Sequence, residues 1–596
     1  MTQSAQQLLD GLDDAQRVAA EALLGPVCVL AGAGTGKTRA ITHRIAYGVA
    51  TGVYAPNRVM ALTFTSRAAS ELRGRLRALG ASGVAARTFH AAALSQLNYF
   101  WPIVVGSGLP NVLDGKGRVL GQAAERLHLR VDTPTLRDVA AEIEWRKVSE
   151  LSLDDYERTF DARSDGIPPR TPPGSLSPRQ ATDLQRAYEA LKDDRRQLDF
   201  EDVLLACAGM IEAEPSVAMH VREQYRFFVV DEYQDVSPLQ QRLLDLWLGD
   251  RSDLCVVGDA SQTIYSFAGA SSSYLLGFGR QHPDATIVRL EQNYRSSAPI
   301  VETANRLMRG RPGALSLHAL TGSEPAEQAG PAEQAGREPM NVADPPAPPS
   351  VTGYRTDAEE AQAVAAQLRA RISDGAKAQE MAVLYRMNAQ AAPLEAALSD
   401  VGVAYQMRGG KRFFDQPEVR QAVMTLRAAS LAATDEPLFQ SVSDVLRSLG
   451  WTLEPPQTAG SVRERWESLN AIMGLVDDAP EGTTFREFTD DLLARQAAQH
   501  EPTIAAVTLC TLHAAKGLEW DDVHIVGLGD GLMPIGYART AAAVDEERRL
   551  LYVGITRARR RLALSWSANA AGPREPSRFL AELGIRTDRA ESANAR

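Results

Sequence analysis

A chain of 596 residues is too long for one continuous hydrophobic core, so several domains are expected. Apolar residues make up 44% and charged residues 23%, ordinary for a globular protein, and no run approaches the ~20 apolar residues that would cross a bilayer. The net charge of −11 argues against a basic coat protein that wraps nucleic acid non-specifically, but it is compatible with a motor that grips nucleic acid in one local groove.

In chain order, the opening "MTQSAQQLLDGLDDAQ" has no apolar core behind a basic flank and reads as no secretion signal. Residues 26–30 (PVCVL) form a strand-like run, followed by a helix in which Ile41, Ile45 and Val49 share one face and Arg44 points elsewhere. Further runs, "RVMALTF", "FFVVDE", "LCVVGD", "MAVLYR", "VTLCTL" and "VHIVGL", alternate with long amphipathic segments. That alternation predicts an α/β fold with parallel sheets. Residues 311–350 are rich in Pro, Ala, Gly and Glu and repeat "PAEQAG" in tandem at 325–336, so a flexible insertion is expected there. The tail after residue 585 is expected to fray. Cys28, Cys207, Cys255 and Cys510 lie far apart without metal-ligand spacing, which suits a reducing cytoplasm and no disulfide framework.

The chemistry concentrates in three places. In "LAGAGTGKTR" (30–39), Ala33, Gly34, Thr35 and Gly36 make a small-residue turn between strand and helix. Its backbone N–H groups and the helix N-terminus suit a phosphate chain. Lys37 adds a mobile charge, and the Thr38 hydroxyl can ligate Mg²⁺. Ala31 stands where the strict pattern wants glycine, with Gly32, Gly34 and Gly36 keeping the turn permissive. In "FFVVDEYQD" (227–235), Asp231 can hold Mg²⁺ and Glu232 can orient or deprotonate an attacking water. On its own this acidic pair would read as a solvated strand end; the phosphate loop gives it weight. "LCVVGDASQTIYSFAGA" (254–270) supplies a third strand with Gln262 just past its end. Ligands of open parallel sheets bind at the carboxyl ends of strands, where all three elements stop. The wide gap between Thr38 and Asp231 leaves room for an inserted domain.

The chain resembles the UvrD/PcrA/Rep-type helicases of superfamily 1 over nearly its whole length, with motifs in the family's order. Those motifs include "LDDAQ", "AGAGTGKTR", "ALTFTSRAASEL", "RTFH", "LDFEDVL", "DEYQD", "GDASQTIYSFAGA", "LEQNYRSS", "AVLYRMNAQ", "GGKRFFDQPEVR", "TLHAAKGLEW" and "EERRLLYVGITRAR". The resemblance implies two RecA-like domains with helical insertions. Residues 1–94 and 195–289 would form the first, with an insertion at 95–194. Residues 290–430 and 502–596 would form the second, with an accessory domain at 431–501. Gln16, Arg39 and Tyr294 would hold the adenine of ATP and Glu519 its ribose, while Gln262 would sense the γ-phosphate. Arg295 and Arg557 would be arginine fingers that stabilise charge on the transferred phosphoryl. Phe64, Thr65, His90, Tyr265, Phe267, Tyr385, Arg386 and His513 would contact single-stranded DNA, the aromatics by base stacking. Arg559, Arg560 and Arg561 read instead as part of a solvated basic helix.

Two departures stand out. Ala268 replaces the arginine that relatives usually carry, and Ser266 another, which loosens the expected link between γ-phosphate sensing and DNA grip. The accessory interval is short and lacks a Gly-Ile-Gly turn, so it is expected to be reduced. The chain also ends soon after "PSRFLAELGI", with no added module expected. The resemblance implies an ATP-dependent, Mg²⁺-requiring 3′→5′ DNA helicase and translocase of the cytoplasm, associated with the nucleoid, acting on single strands and junctions in repair or replication. Protein displacement with poor unaided unwinding is the alternative. A nucleotide-switched DNA-binding module without sustained turnover and a small-molecule kinase are the readings from other classes.

Overall fold

The computed structural model describes residues 4–161, 170–320, 347–408, 414, 416–431, 436–454, 461–477, 479–480, 482–498, 505–568, 574–585 and 587–589. The core of the expected 311–350 insertion, including the tandem repeat, lies outside these residues, as do 409–413 of "GGKRFFDQPEVR" and the last seven residues. The chain forms two compact units, one mainly Met1–Glu291 and the other mainly Gln292–Arg311 with Asn341–Arg596.

The first unit is built on β1 (Val27–Ala31), β2 (Val59–Thr63), β3 (Ala85–Thr88), β4 (Phe227–Val230), β5 (Leu254–Gly258) and β6 (Thr286–Leu290). They pair in the order β3-β2-β4-β5-β1-β6, every pair parallel. β2, β4 and β5 are buried at every position because helices cover both sheet faces. The helix Phe89–Val105 is anchored through Trp247, whose indole N–H donates to Gln96 Oε1 at 2.8 Å while its ring stacks near Phe89. That anchor fixes the start of the "RTFH" helix at the edge of the sheet.

Between β3 and β4 lies a helical insertion, with Gly117–Arg126, Thr133–Val148 and Pro178–Asp194 closing around Leu120, Ile143, Leu184 and Tyr188. Its charges converge on Asp199: Lys147 and Lys192 donate to Oδ2 at 2.7 and 2.9 Å, and the Tyr188 hydroxyl at 3.0 Å. Burial alone would raise the Asp199 pKa, but the two ammonium groups hold it well below the usual carboxylate range. Asp199 also caps the helix Phe200–Ala213, so this network sets where Phe200 stands.

Arg44 departs from expectation. It is fully buried and donates to the Ala19 carbonyl at 2.8 Å. The helix Asp14–Glu21 packs over it, and its unpaired C-terminal carbonyl needs a donor.

The second unit contains β7 (Ser350–Tyr354), β8 (Met381–Tyr385), β9 (Tyr405–Arg408), β10 (Val507–Thr511), β11 (Trp520–Ile525), β12 (Ala558–Ser567) and β13 (Thr587–Arg589). Their order is β9-β10-β8-β11-β12-β7-β13, again all parallel. These are two parallel α/β sheets of the RecA-like kind. Helices Pro417–Ala429, Leu438–Ser448, Ser461–Asp477 and Phe485–Ala498 close a separate apolar cluster around Val423, Val442, Leu469 and Phe488.

No helix among the described residues is long and apolar enough to cross a membrane. All four cysteines are buried free thiols.

Candidate nucleotide and DNA sites

The phosphate loop leaves β1 at Ala31, the strand's last residue, which is fully buried and paired with Leu290. Ala31 is therefore ordinary strand backbone, and no glycine is needed there. Gly34 (φ 72°) and Gly36 (φ 77°) are the positions that need glycine, since both adopt the left-handed conformation. Gly36 also precedes the helix Lys37–Ala50, and a Cβ on it would sit 2.7 Å from Gln16 Nε2. Gln16 is buried and donates from that atom to the Thr35 carbonyl at 3.0 Å, so the expected adenine reader already touches the loop. Arg39 donates to the Gly11 carbonyl at 2.6 Å. Thr38 lies in the helix's first turn, with Ala33 and Thr35 buried in the loop.

The carboxylates Asp231 and Glu232 follow β4, one strand beyond β1's neighbour β5. Lys37 Nζ stands 3.4 Å from Glu232 Oε1. The Glu232 N–H donates to Asp231 Oδ1 at 2.9 Å, and Glu232 has φ 52°, a left-handed conformation uncommon for a side-chain-bearing residue. Strain of this kind collects at functional sites. Burial, then the adjacent Glu232 charge, pushes the Asp231 pKa up to about 7, with Lys37 opposing. A divalent cation would relieve that penalty, so the donor set of Asp231 and Thr38 fits Mg²⁺. Gln262 donates to Asp259 Oδ2 at 2.8 Å, and both side chains are buried.

In the second unit Arg295, Glu519 and Arg557 gather at one end of the sheet. Glu519 precedes β11 and Arg557 precedes β12, at the strands' amino ends. Arg295 Nε lies 2.5 Å from Glu519 Oε2, and its Nη1 donates to the Thr556 carbonyl at 3.3 Å. Arg557 is buried, with Nε donating to the Val553 carbonyl at 2.9 Å and Nη1 to that of Leu518 at 3.1 Å. Tyr294, the other adenine candidate, is half-buried beside Arg295.

The basic run is corrected. Arg559–Arg561 lie on the strand β12, not on a solvated helix. Arg559 pairs with Asp521 at 2.7 Å, with Glu519 at 3.3 Å and with Glu380. Sequence pattern could not reveal this, because the acids lie far off in sequence, Glu380 in one segment and Glu519 with Asp521 in another.

The DNA candidates of the first unit sit at carboxyl ends of strands. Phe64 and Thr65 follow β2, and Thr65 caps the helix Ser66–Ala78 by accepting from Ala68 N–H at 3.1 Å. His90 follows β3 and stacks on Phe200 at 3.7 Å, with 14° between rings. Phe200, within "LDFEDVL", is 54% exposed and carries no sequence signal that sets it apart from a core aromatic. Tyr265 and Phe267 follow β5 with ring centroids 6.1 Å apart, and Phe267 is 62% exposed. Phe267→Ala is expected to weaken single-stranded DNA binding by about 1–3 kcal/mol, roughly 5- to 150-fold in Kd, without changing ATP affinity. Fluorescence anisotropy with a labelled oligonucleotide measures it.

In the second unit His513 follows β10, whereas two neighbours fail as contacts. Tyr385 is fully buried in the core against residues such as Leu394 and Leu509, leaving no ring face for a base. Arg386 is spent on a bidentate pair with buried Glu547, Nη2 to Oε1 at 2.8 Å. The Glu547 carboxylate also accepts from the Ile535 N–H, so the pair ties the 527–535 loop to β8.

Burial lowers the pKa of both His90 and His513 to about 4, with neighbouring cations adding to it (Lys116 for His90; Arg386 and Lys516 for His513). Both rings are neutral at pH 6–8. His90→Asn or His513→Asn is therefore expected to change oligonucleotide Kd by the same factor at pH 6 and pH 8. A factor that grows at pH 6 would mean a cationic contact.

Comparison with known proteins agrees in extent and order. Residues 12–283 match the model of the UvrD/REP helicase N-terminal domain, and 288–454 and 439–569 that of the UvrD-like helicase C-terminal domain. The chain is 46% identical to the ATP-dependent DNA helicase UvrD2 of Mycobacterium tuberculosis over 98% of its own length and 83% of the relative's. It is 28% identical to DNA helicase II of Escherichia coli (97% and 88% covered) and 27% identical to the ATP-dependent DNA helicase PcrA of Bacillus subtilis (98% and 87%). With two parallel sheets, a phosphate loop and these matches, the chain belongs to the UvrD/Rep helicase family.

Proposed function

We propose that this protein is an ATP-dependent DNA helicase that converts ATP hydrolysis into 3′→5′ movement along a single strand. The observation that carries the reading is the convergence of Lys37, Asp231, Glu232 and Gln262 on the carboxyl ends of β1, β4 and β5. Lys37 and the loop N–H groups would hold the β- and γ-phosphates. Glu232 would orient the water whose oxygen attacks the γ-phosphorus as the bond to the β,γ-bridging oxygen breaks, and would take the water's proton. Thr38 and Asp231 would hold Mg²⁺, which supplies charge neutralisation on the phosphate oxygens. Arg295 and Arg557 would stabilise the transferred phosphoryl, with Gln16, Arg39, Tyr294 and Glu519 placing the nucleoside. Phe64, Thr65, His90, Tyr265, Phe267 and His513 would form the strand track.

The proposed domain division is 1–94 with 195–289, 95–194, 290–430 with 502–596, and 431–501, with the helix Pro417–Ala429 packed into the accessory cluster. The small accessory cluster favours a second variant of the same motor, in which protein displacement is strong and unaided duplex opening weak. Steady-state hydrolysis with and without oligonucleotide tests the reading. A motor gives strong stimulation, whereas low turnover that ignores DNA contradicts it.

A further inference from the structure

Gln234 is completely buried between the turn after β4 and the end of β5. Its amide nitrogen donates to Glu232 Oε2 at 2.5 Å, and its amide oxygen accepts from the Asp259 N–H at 3.0 Å. Asp259 in turn accepts from Gln262 Nε2 at 2.8 Å on Oδ2 and from the Ser261 N–H at 2.9 Å on Oδ1. The partners fix which end of the amide faces which: reversed, its oxygen would face a carboxylate and its nitrogen an N–H. A relay of hydrogen bonds therefore runs Glu232–Gln234–Asp259–Gln262, passing at Asp259 from its backbone N–H to its carboxylate. Its far end lies three residues before Tyr265, at the turn that also bears Phe267.

The backbone is shaped for this chain. Gly258, the last residue of β5, lies against Gln234, and a Cβ there would come within 2.5 Å of Oε1 and 3.2 Å of the Gln234 N. Glu232 holds its left-handed φ immediately before the short turn Tyr233–Asp235, which aims its carboxylate back at the Gln234 amide. Buried amides in a low-dielectric site hold their partners firmly, because an unmade hydrogen bond there costs more than in water.

We propose that Gln234 is a positioning residue that couples the water-orienting Glu232 to the γ-phosphate sensor Gln262 and, through the adjoining turn, to the DNA-stacking aromatics. The inference rests on the roles proposed above for Glu232 and Gln262. When Gln262 moves to meet a γ-phosphate, Asp259 and Gln234 move with it, and Glu232 is brought to its working orientation.

The test compares Gln234→Leu, Gln262→Ala, the double variant and Glu232→Gln in the full chain. Each is assayed for ATP Kd, for kcat with and without oligonucleotide, and for thermal midpoint. Gln234→Leu is expected to lower DNA-stimulated kcat by tenfold or more, to lower unstimulated kcat less, and to leave ATP Kd within about threefold. If the chain is one unit, the double variant loses no more than the worse single variant, within about threefold. Isosteric Gln234→Glu, which turns an acceptor toward Glu232, is expected to show the same kcat loss and serves if the leucine variant does not fold. Wild-type kcat in a folded Gln234 variant, or a double-variant loss equal to the product of the singles, overturns the proposal. So does a loss of ATP affinity and thermal midpoint in step with kcat, the mark of a mere core plug. Glu232→Gln separates the two levels. If it is inactive while Gln234→Leu works normally, only the coupling fails; if it turns over normally, the hydrolysis reading fails as well.

Discussion

Arg557→Ala is expected to keep ATP affinity within about threefold of wild type while lowering DNA-stimulated turnover by roughly 10³-fold or more, the usual effect of losing an arginine finger. The expectation follows from how the side chain is held. Arg557 is 2% exposed, and three donor contacts, to Val553, Leu518 and Thr556, fix the guanidinium plane. A guanidinium placed in advance stabilises charge that develops only in the transition state, so its loss should appear in kcat. Arg557→Lys keeps a charge but loses the rigid fork, and it is expected to recover only a small part of the rate. The check is ATP binding by equilibrium titration beside steady-state hydrolysis. Equal loss of binding and turnover would mean that Arg557 is structural.

Lys37→Ala carries the other large effect. The ammonium has a side-chain exposure of 13% and stands 3.4 Å from Glu232, at the start of the helix that follows the loop. Removing it takes the mobile charge from the β- and γ-phosphates and leaves Asp231 and Glu232 without their nearest cation. Turnover is expected to fall at least 10²- to 10³-fold, with weaker ATP binding as well. DNA-stimulated hydrolysis at the wild-type rate would remove the nucleotide site from this loop.

Much of this site was legible in the sequence because its demands are local. Gly34 and Gly36 are glycines since the backbone there has positive φ, and Asp231 follows an apolar run because a buried parallel strand must end in polar residues. What stayed hidden depends on which segments become neighbours. Gln234 meets Asp259 only because β4 and β5 are adjacent in the sheet. Arg559 reads as solvated until β11 brings Asp521 beside it, and Arg44, off the apolar face of its helix, is buried because the first helix needs a donor. Tyr385 departs from expectation for a related reason. A strand's last aromatic can turn into the core or out to a ligand, and the covering helix over residues such as Leu394 decides it. Arg386 had the same ambiguity, resolved by a glutamate 161 residues away.

The measurement that bears most directly on the central claim is unwinding of duplexes carrying a single-stranded tail on one end or the other, with ATP, alongside displacement of a protein block from single-stranded DNA. ATP-dependent action is expected from a 3′ tail and none from a 5′ tail, with block displacement at least as strong as strand separation. ATP consumption with no directional action on either tail and no displacement would contradict it.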